Sequence, residues 1–225
     1  FDSTAVQAAF RWAGRFQSEV TPPNIDWFEI CPGPLSKKEK RDDIKRALET
    51  DNEIFRLVLN TGMFHTASME MYMDFCAGTG VLFALDGDED DDLVDFVSAP
   101  FSECGITVDA KGRVNSVNWR KKYTPREIYD AWPQFRSKMD EKLKKAAIKN
   151  QGSKDHVILQ SVIRNSGAND PAQRWTYRLI DETNKTILTR EYSRTCPAIV
   201  PRFFMLPGAA NGRGPAMVAL PNVRV

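Results

Sequence analysis

Apolar positions recur along this chain with two periods, and the order of those periods divides it into helical and extended segments. The first stripe is Ala5, Ala8, Ala9, Trp12, Ala13 and Phe16. Its spacing of three and four residues predicts a helix with one buried face, capped within Asp2-Ser3-Thr4 and ended by Thr21-Pro22-Pro23. Trp27-Phe28-Glu29-Ile30 is a short extended run closed by Pro32-Gly33-Pro34. Ser36-Lys37-Lys38-Glu39 has capping-box spacing, in which the serine accepts from the amide three residues on and the glutamate reaches back. Ile44, Leu48, Ile54, Phe55 and Val58 give the helix that follows its apolar face. After a break near Gly62, Phe64, Ala67, Met71 and Phe75 predict a helix ending at Gly78, and residues 81–85 read as a buried strand.

From Ile106 the period changes to two. Ile106 to Val108 and Val114 to Trp119, joined by Asp109 and Gly112, predict a β-hairpin, so residues 1 to about 123 read as one α+β unit. Thr124-Pro125-Arg126-Glu127 then starts a helix with both a capping box and a proline at its first position. Pro133 interrupts it. A second helix is predicted over 136–149, with Met139, Leu143 and Ala146 on one stripe and Arg136, Lys138, Lys142, Lys144, Lys145 and Lys149 set against Asp140 and Glu141 on the others, a charge run that by itself reads as a solvated face. Gln151-Gly152-Ser153 ends it. Strands follow over 157–163, 175–179 and 187–192, the last two flanking a turn at Asp181-Glu182-Thr183-Asn184. Pro197, Pro201 and Pro207 hold residues 196–207 extended. Asn211-Gly212-Arg213-Gly214 is a turn, and Pro215 fits the first position of a closing helix, which Pro221 kinks or restarts.

Composition narrows the function classes. The chain has 225 residues, 42% hydrophobic and 27% charged, with a net charge of +1. That balance argues against tight DNA binding, which normally requires a marked basic surplus. No run approaches the roughly twenty apolar residues of a membrane span, and the N-terminus has no signal-peptide pattern. Cys31, Cys76, Cys104 and Cys196 form no C-x-x-C pair and only His65 and His156 are present, which points to free thiols rather than a zinc site or disulfide framework. The chain begins at Phe1 and stops inside a starting helix, as a piece of a longer protein would.

Two stretches tempt a ligand reading. Gly78-Thr79-Gly80 lies between helix and strand, the reverse of a dinucleotide loop, and reads as a plain turn. Asp86 to Asp92 holds six acidic side chains in seven positions, but Asp91 stands where a calcium loop needs glycine and Val97 where it needs glutamate. A solvated hairpin or connector is the expectation. Phosphate-loop, nucleophile-elbow and metalloprotease motifs are absent, so no catalytic residue, metal ligand or cofactor is expected.

Residue order is more specific than any single motif. Pro197-Ala-Ile-Val-Pro-Arg-Phe203, Asn211-Gly-Arg-Gly-Pro215 and Ala219-Leu-Pro221 resemble the signature of head-to-tail connecting (portal) proteins of short-tailed bacteriophages. Asn211 stands where that family usually has an aromatic, and Phe203 where it usually has tryptophan. Phe1-Asp-Ser-Thr-Ala5, Pro22-Pro23 and Trp27-Phe28 resemble the family's opening. Phe64, Glu70, Tyr72, Asp74, Gly78, Thr79, Gly80 and Leu82 continue the likeness, as does Asp109, Gly112 and Val114 at the hairpin.

The resemblance implies an α+β fold with a helical and β wing region (1–123), a long stem helix within a stem segment (124–150), a small inserted β clip region (151–197), and a return arm starting a second stem helix (198–225). It implies a non-enzymatic subunit of a ring, usually dodecameric, at a capsid vertex of the virion, assembled in the host bacterial cytoplasm. Double-stranded DNA would pass through during packaging and ejection, without sequence specificity. The terminase motor, a tail adaptor and capsid or scaffolding proteins would be partners, and no membrane is implied. Arg202, Gly212, Arg213, Gly214 and Pro215 would form the stem-entry turn, with the two arginines pairing within or between subunits. Lys142, Lys145 and Lys149 would line the channel or stem, and residues 151–195 would meet motor and tail. A nucleic-acid-processing enzyme and another virion adaptor subunit are the alternatives.

Overall fold

The structure is a computed structural model that describes residues 3–31, 42–87, 93–153 and 155–223. Helices and antiparallel strands are both present, and the chain forms two compact units. One comprises Phe1–Ser98, Pro201–Phe204 and Arg213–Val225; the other comprises Ala99–Val200 and Met205–Gly212.

The first unit is organised by helices α1 (Thr4–Val20), α2 (Asp42–Thr61) and α3 (Phe64–Phe75). Ala13 of α1 is fully buried, and Ala67, Met71, Tyr72 and Phe75 of α3 form the core with Leu82. Rings fill the space between them. Trp12 stacks on Phe16 at 4.9 Å, and Phe16 meets Tyr72 and Phe75 edge-on at 4.9 and 5.5 Å. Such offset and edge contacts contribute beyond the area they bury. The Tyr72 hydroxyl shares a 3.0 Å hydrogen bond with Thr21, and burial pushes its pKa up. Strands β1 (Leu82–Asp86) and β2 (Val94–Ser98) pair antiparallel. The Gly87 amide donates to the Leu93 carbonyl at 3.4 Å just beyond the paired residues. The capping box at Ser36 and acidic positions 88–92 lie outside the described residues.

Helix α2 departs from its pattern. Ile54 and Phe55 are 47% and 53% exposed, and the buried position is Asn52. Its side chain works like a strand edge: Oδ1 accepts from the Ile30 amide at 2.7 Å and Nδ2 donates to the Ile30 carbonyl at 3.4 Å, while Nδ2 also donates to the Leu48 carbonyl at 2.9 Å. The extended run before Ile30 is held by this amide rather than by a neighbouring strand.

The second unit is built on a five-stranded antiparallel sheet in the order β3 (Cys104–Val108), β4 (Val114–Tyr123), β5 (His156–Arg164), β6 (Trp175–Asp181) and β7 (Thr186–Ser193). The hairpin expected near residue 110 and the strands after 156 are therefore one sheet, and residue 123 falls inside it. Ile158, Leu179 and Leu188 pack with Ile128 of α4 (Pro125–Ala131) and with Met139 and Leu143. The capping box that starts α4 is present, with the Glu127 amide donating to Thr124 Oγ1 at 3.2 Å and the Thr124 amide to Glu127 Oε2 at 2.7 Å. At the β3–β4 turn, the amide of Arg113 donates to Asp109, whose carboxyl is held below its ordinary pKa by that bond, then by the Arg113 and Lys111 contacts.

The long helix expected over 136–149 is corrected. Residues Pro133–Lys138 form a 3-10 turn, Met139 is extended, and α5 occupies only Glu141–Ile148. Pro133 lacks the amide a continuous helix needs. The Asp140 carboxylate accepts from the Lys142 amide at 2.8 Å, a bond that starts a new helix rather than continuing one. Met139 and Leu143 are buried as the stripe predicts, with Ala147 joining them rather than Ala146.

Candidate functional site

The stem-entry turn is assembled against the end of α3. Backbone bonds run from the Gly80 amide to the Pro201 carbonyl (3.1 Å) and from Phe203 to Gly78 (2.9 Å), with Thr79 and Arg202 bridged between them. Phe203 then lies against Trp12 and Phe75 at 6.1 and 5.4 Å. After a ribbon pairing Phe204–Met205 with Gly212–Arg213, the Gly214 amide donates to Ala77 and the Ala216 amide to Cys76, each at 3.1 Å. Helix α6 (Pro215–Val223) starts where the proline predicts and continues through Pro221.

Gly214 is the tightest point. A Cβ there would overlap the Cys76 carbonyl and approach the Gly78 nitrogen at 2.5 Å, both backbone atoms. Arg202 is half-buried and Arg213 exposed, so the motif's two arginines differ in surroundings. The arrangement fixes backbone; it offers no nucleophile and base. Burial pushes the Cys76 and Cys196 thiols up, which keeps them protonated and unreactive.

Lys142, Lys145 and Lys149 fall on one exposed stripe of α5 and its C-cap. The other cations of this segment are engaged. Lys144 Nζ pairs with Glu141 at 2.7 Å and lowers that carboxyl's pKa, Lys138 Nζ donates to the Leu188 carbonyl at 2.9 Å, and the Arg136 guanidinium stacks on Tyr129 at 4.0 Å. Nearby, Lys121 Nζ sits over Trp119 and Tyr123 at 5.4 and 5.2 Å. Burial, then Glu103 and Glu127, push the Tyr123 pKa up to about 12.

Among the described residues no group of three or more His, Cys, Asp or Glu could hold a metal ion. A cleft of about 560 Å³ lies between residues 26–29 and α2, lined by Asp26, Trp27, Phe28, Glu29, Glu49, Asn52, Glu53 and Arg56. Arg56 pairs with Asp26 there at 3.1 Å. His65 lies on α3 and His156 on β5, neither in this cleft.

Pattern reading missed the sheet face turned away from α4 and α5. In its central row the register aligns Arg190, Arg178, Ser161, Asn118 and Gly105 across all five strands. Counting outward from the Asp181–Thr186 pair sets Thr189 opposite Arg178; a bulge near Leu179 and Ile180 sets Arg190 there instead.

The family model described as bacteriophage head to tail connecting protein matches residues 1–225. The chain belongs to this family. Comparison with curated proteins finds no match. As a head-to-tail connecting protein it is a structural, virion-associated subunit of the phage head–tail junction, meeting head and tail components. No helix among this connector's described residues is long and apolar enough to cross a membrane.

Proposed function

We propose that this connector subunit assembles into a closed ring whose channel passes double-stranded DNA during packaging and ejection, and that the ring docks the terminase motor and the tail. The observation that carries the proposal is the family match over the whole of residues 1–225. In this reading residues 1–123 belong to the wing, 124–150 to a stem segment, 151–197 to the clip that meets motor and tail adaptors, and 198–225 to the return arm and second stem helix. Lys142, Lys145 and Lys149 line the channel or stem, and the Arg202, Gly212, Arg213, Gly214 and Pro215 turn sets the direction of α6.

Charge supports a conduit. A net charge of +1 is small for a protein that grips DNA, whereas a channel must let duplex slide. A head-to-tail interface repeated by rotation closes into such a ring. The test is electron microscopy of the full-length parent protein at high concentration. Rings with a central hole wide enough for duplex DNA are the expected result; compact monomers or dimers overturn the ring reading and call for a nuclease assay.

A further inference from the structure

We infer that the open face of the five-stranded sheet docks the acidic run Asp86 to Asp92 of a second copy of this chain. The starting observation is a like-charge pair. Arg178 and Arg190 stand directly opposite on β6 and β7, an arrangement that destabilises a sheet unless something compensates. Neither arginine has an ion pair with a described residue, and Arg178 Nε is shielded from solvent without a hydrogen-bond partner. A guanidinium held in this way is suited to a carboxylate, which it binds through paired N–H donors.

Two further cations share the face with the apolar Val157, Leu159, Ile163 and Ile180. Arg120 and Lys122 lie on it and are exposed, and Arg120 pairs with Glu182 at 2.8 Å beyond the end of β6. By register, no position of β3 to β7 on this side is Asp or Glu; Asp181 and Glu191 fall on the side facing α4 and α5. Between the arginines and the far edge runs a row of neutral donors and acceptors. Ser161 Oγ donates to Asn118 Oδ1 at 2.6 Å and, in the next row, Thr107 shares a 2.8 Å bond with Ser116, the two serines themselves being buried. Gly105 ends the row with open space where a side chain would stand. The face thus carries cations at Arg120, Lys122, Arg178 and Arg190, with Val157, Leu159, Ile163 and Ile180 between them, and its charged positions suit an acidic segment.

Charge complementarity selects the occupant. The six carboxylates in seven positions of the acidic run form the strongest block of negative charge in the chain, and they occupy the β1–β2 connection. The acidic loop and the basic face are different patches of each copy, so the contact is heterologous and repeats from copy to copy, closing a ring where rotation permits. Only that last step rests on the ring reading.

The test is a titration of the full chain with a fluorescent peptide carrying the sequence of residues 84–94. Saturable binding that weakens with added salt is expected, with a loss of about tenfold in the Arg178→Ala, Arg190→Ala double variant and a smaller but measurable loss in the Arg178→Lys, Arg190→Lys variant, which keeps the charge and loses the paired donors. Both variants are checked for an unchanged circular-dichroism melt, which separates loss of the face from loss of the fold. Equal binding by native and double-alanine chains overturns the inference, as does no binding at all. Capture of a duplex DNA oligonucleotide in place of the peptide overturns it in favour of a phosphate polymer. Binding seen only after Asp88, Asp90 and Asp92 are changed to Ser assigns the face to the same chain's own run and overturns the second-copy assignment. Peptide binding without rings leaves this inference standing and removes the ring reading; rings without peptide binding do the reverse.

Discussion

Gly214 has no side chain because three backbone atoms of residues 76–78, just past α3, occupy the space one would need. Backbone cannot swing aside as a flexible side chain does, so Gly214→Ala has to separate the arm from α3 and break the Gly214–Ala77 and Ala216–Cys76 bonds. The expected cost is about 1–3 kcal/mol, the usual range for overpacking, read as a lower urea midpoint with an unchanged slope. Asn211-Gly212-Arg213-Gly214 reads as a turn, and a turn glycine ordinarily signals backbone freedom. Here the requirement is close approach, which depends on a neighbour far away in the chain and cannot be read locally. Asn52 is a similar case: it looks like one more polar residue on a helix, yet it clamps the extended run at Ile30.

Between residues and the whole chain, capping chemistry was the most legible feature. Thr124-Pro125-Arg126-Glu127 announces α4, and the structure carries both reciprocal bonds. The same chemistry explains the corrected helix, since Asp140, one charge among several in the pattern of residues 136–149, is the cap of a shorter helix. Asp140→Ala should destabilise the second unit by about 1 kcal/mol, and the loss of helical ellipticity on heating should begin earlier. Strand existence was also legible, through the period of two around Trp175, Tyr177 and Leu179. Register was not, because one bulge between β6 and β7 moves Arg190 into the place that even counting assigns to Thr189. A cross-strand pair is a property of two strands, and a pattern along one of them does not contain it.

At the scale of the whole molecule, charge is distributed rather than surplus. The exposed cations left over after internal pairing include the stripe of Lys142, Lys145 and Lys149, while the densest run of acids, six of the 30, falls within Asp86 to Asp92. Reversing the three lysines to Glu should leave assembly intact and reduce the DNA retained by filled particles, with the salt dependence of retention falling by about one phosphate contact per lysine facing the duplex. Unchanged packaging and retention would remove the channel role from this stripe.

The arm that returns to α3 also sets a timetable for synthesis. Residues 76–80 are made well before their hydrogen-bond partners: Pro201 and Phe203 emerge only after Ala99–Val200 of the second unit, and Gly214 and Ala216 only after all of it. At ordinary translation speeds that interval is on the order of ten seconds. Throughout it the nascent first unit lacks the segment that covers Trp12 and Phe75, and the inserted sheet can fold before its host is finished. Maturation therefore proceeds from the inside of the gene outward, and a chain released before residue 201 would carry a complete sheet beside an unsealed helical partner, a natural substrate for chaperones and proteases.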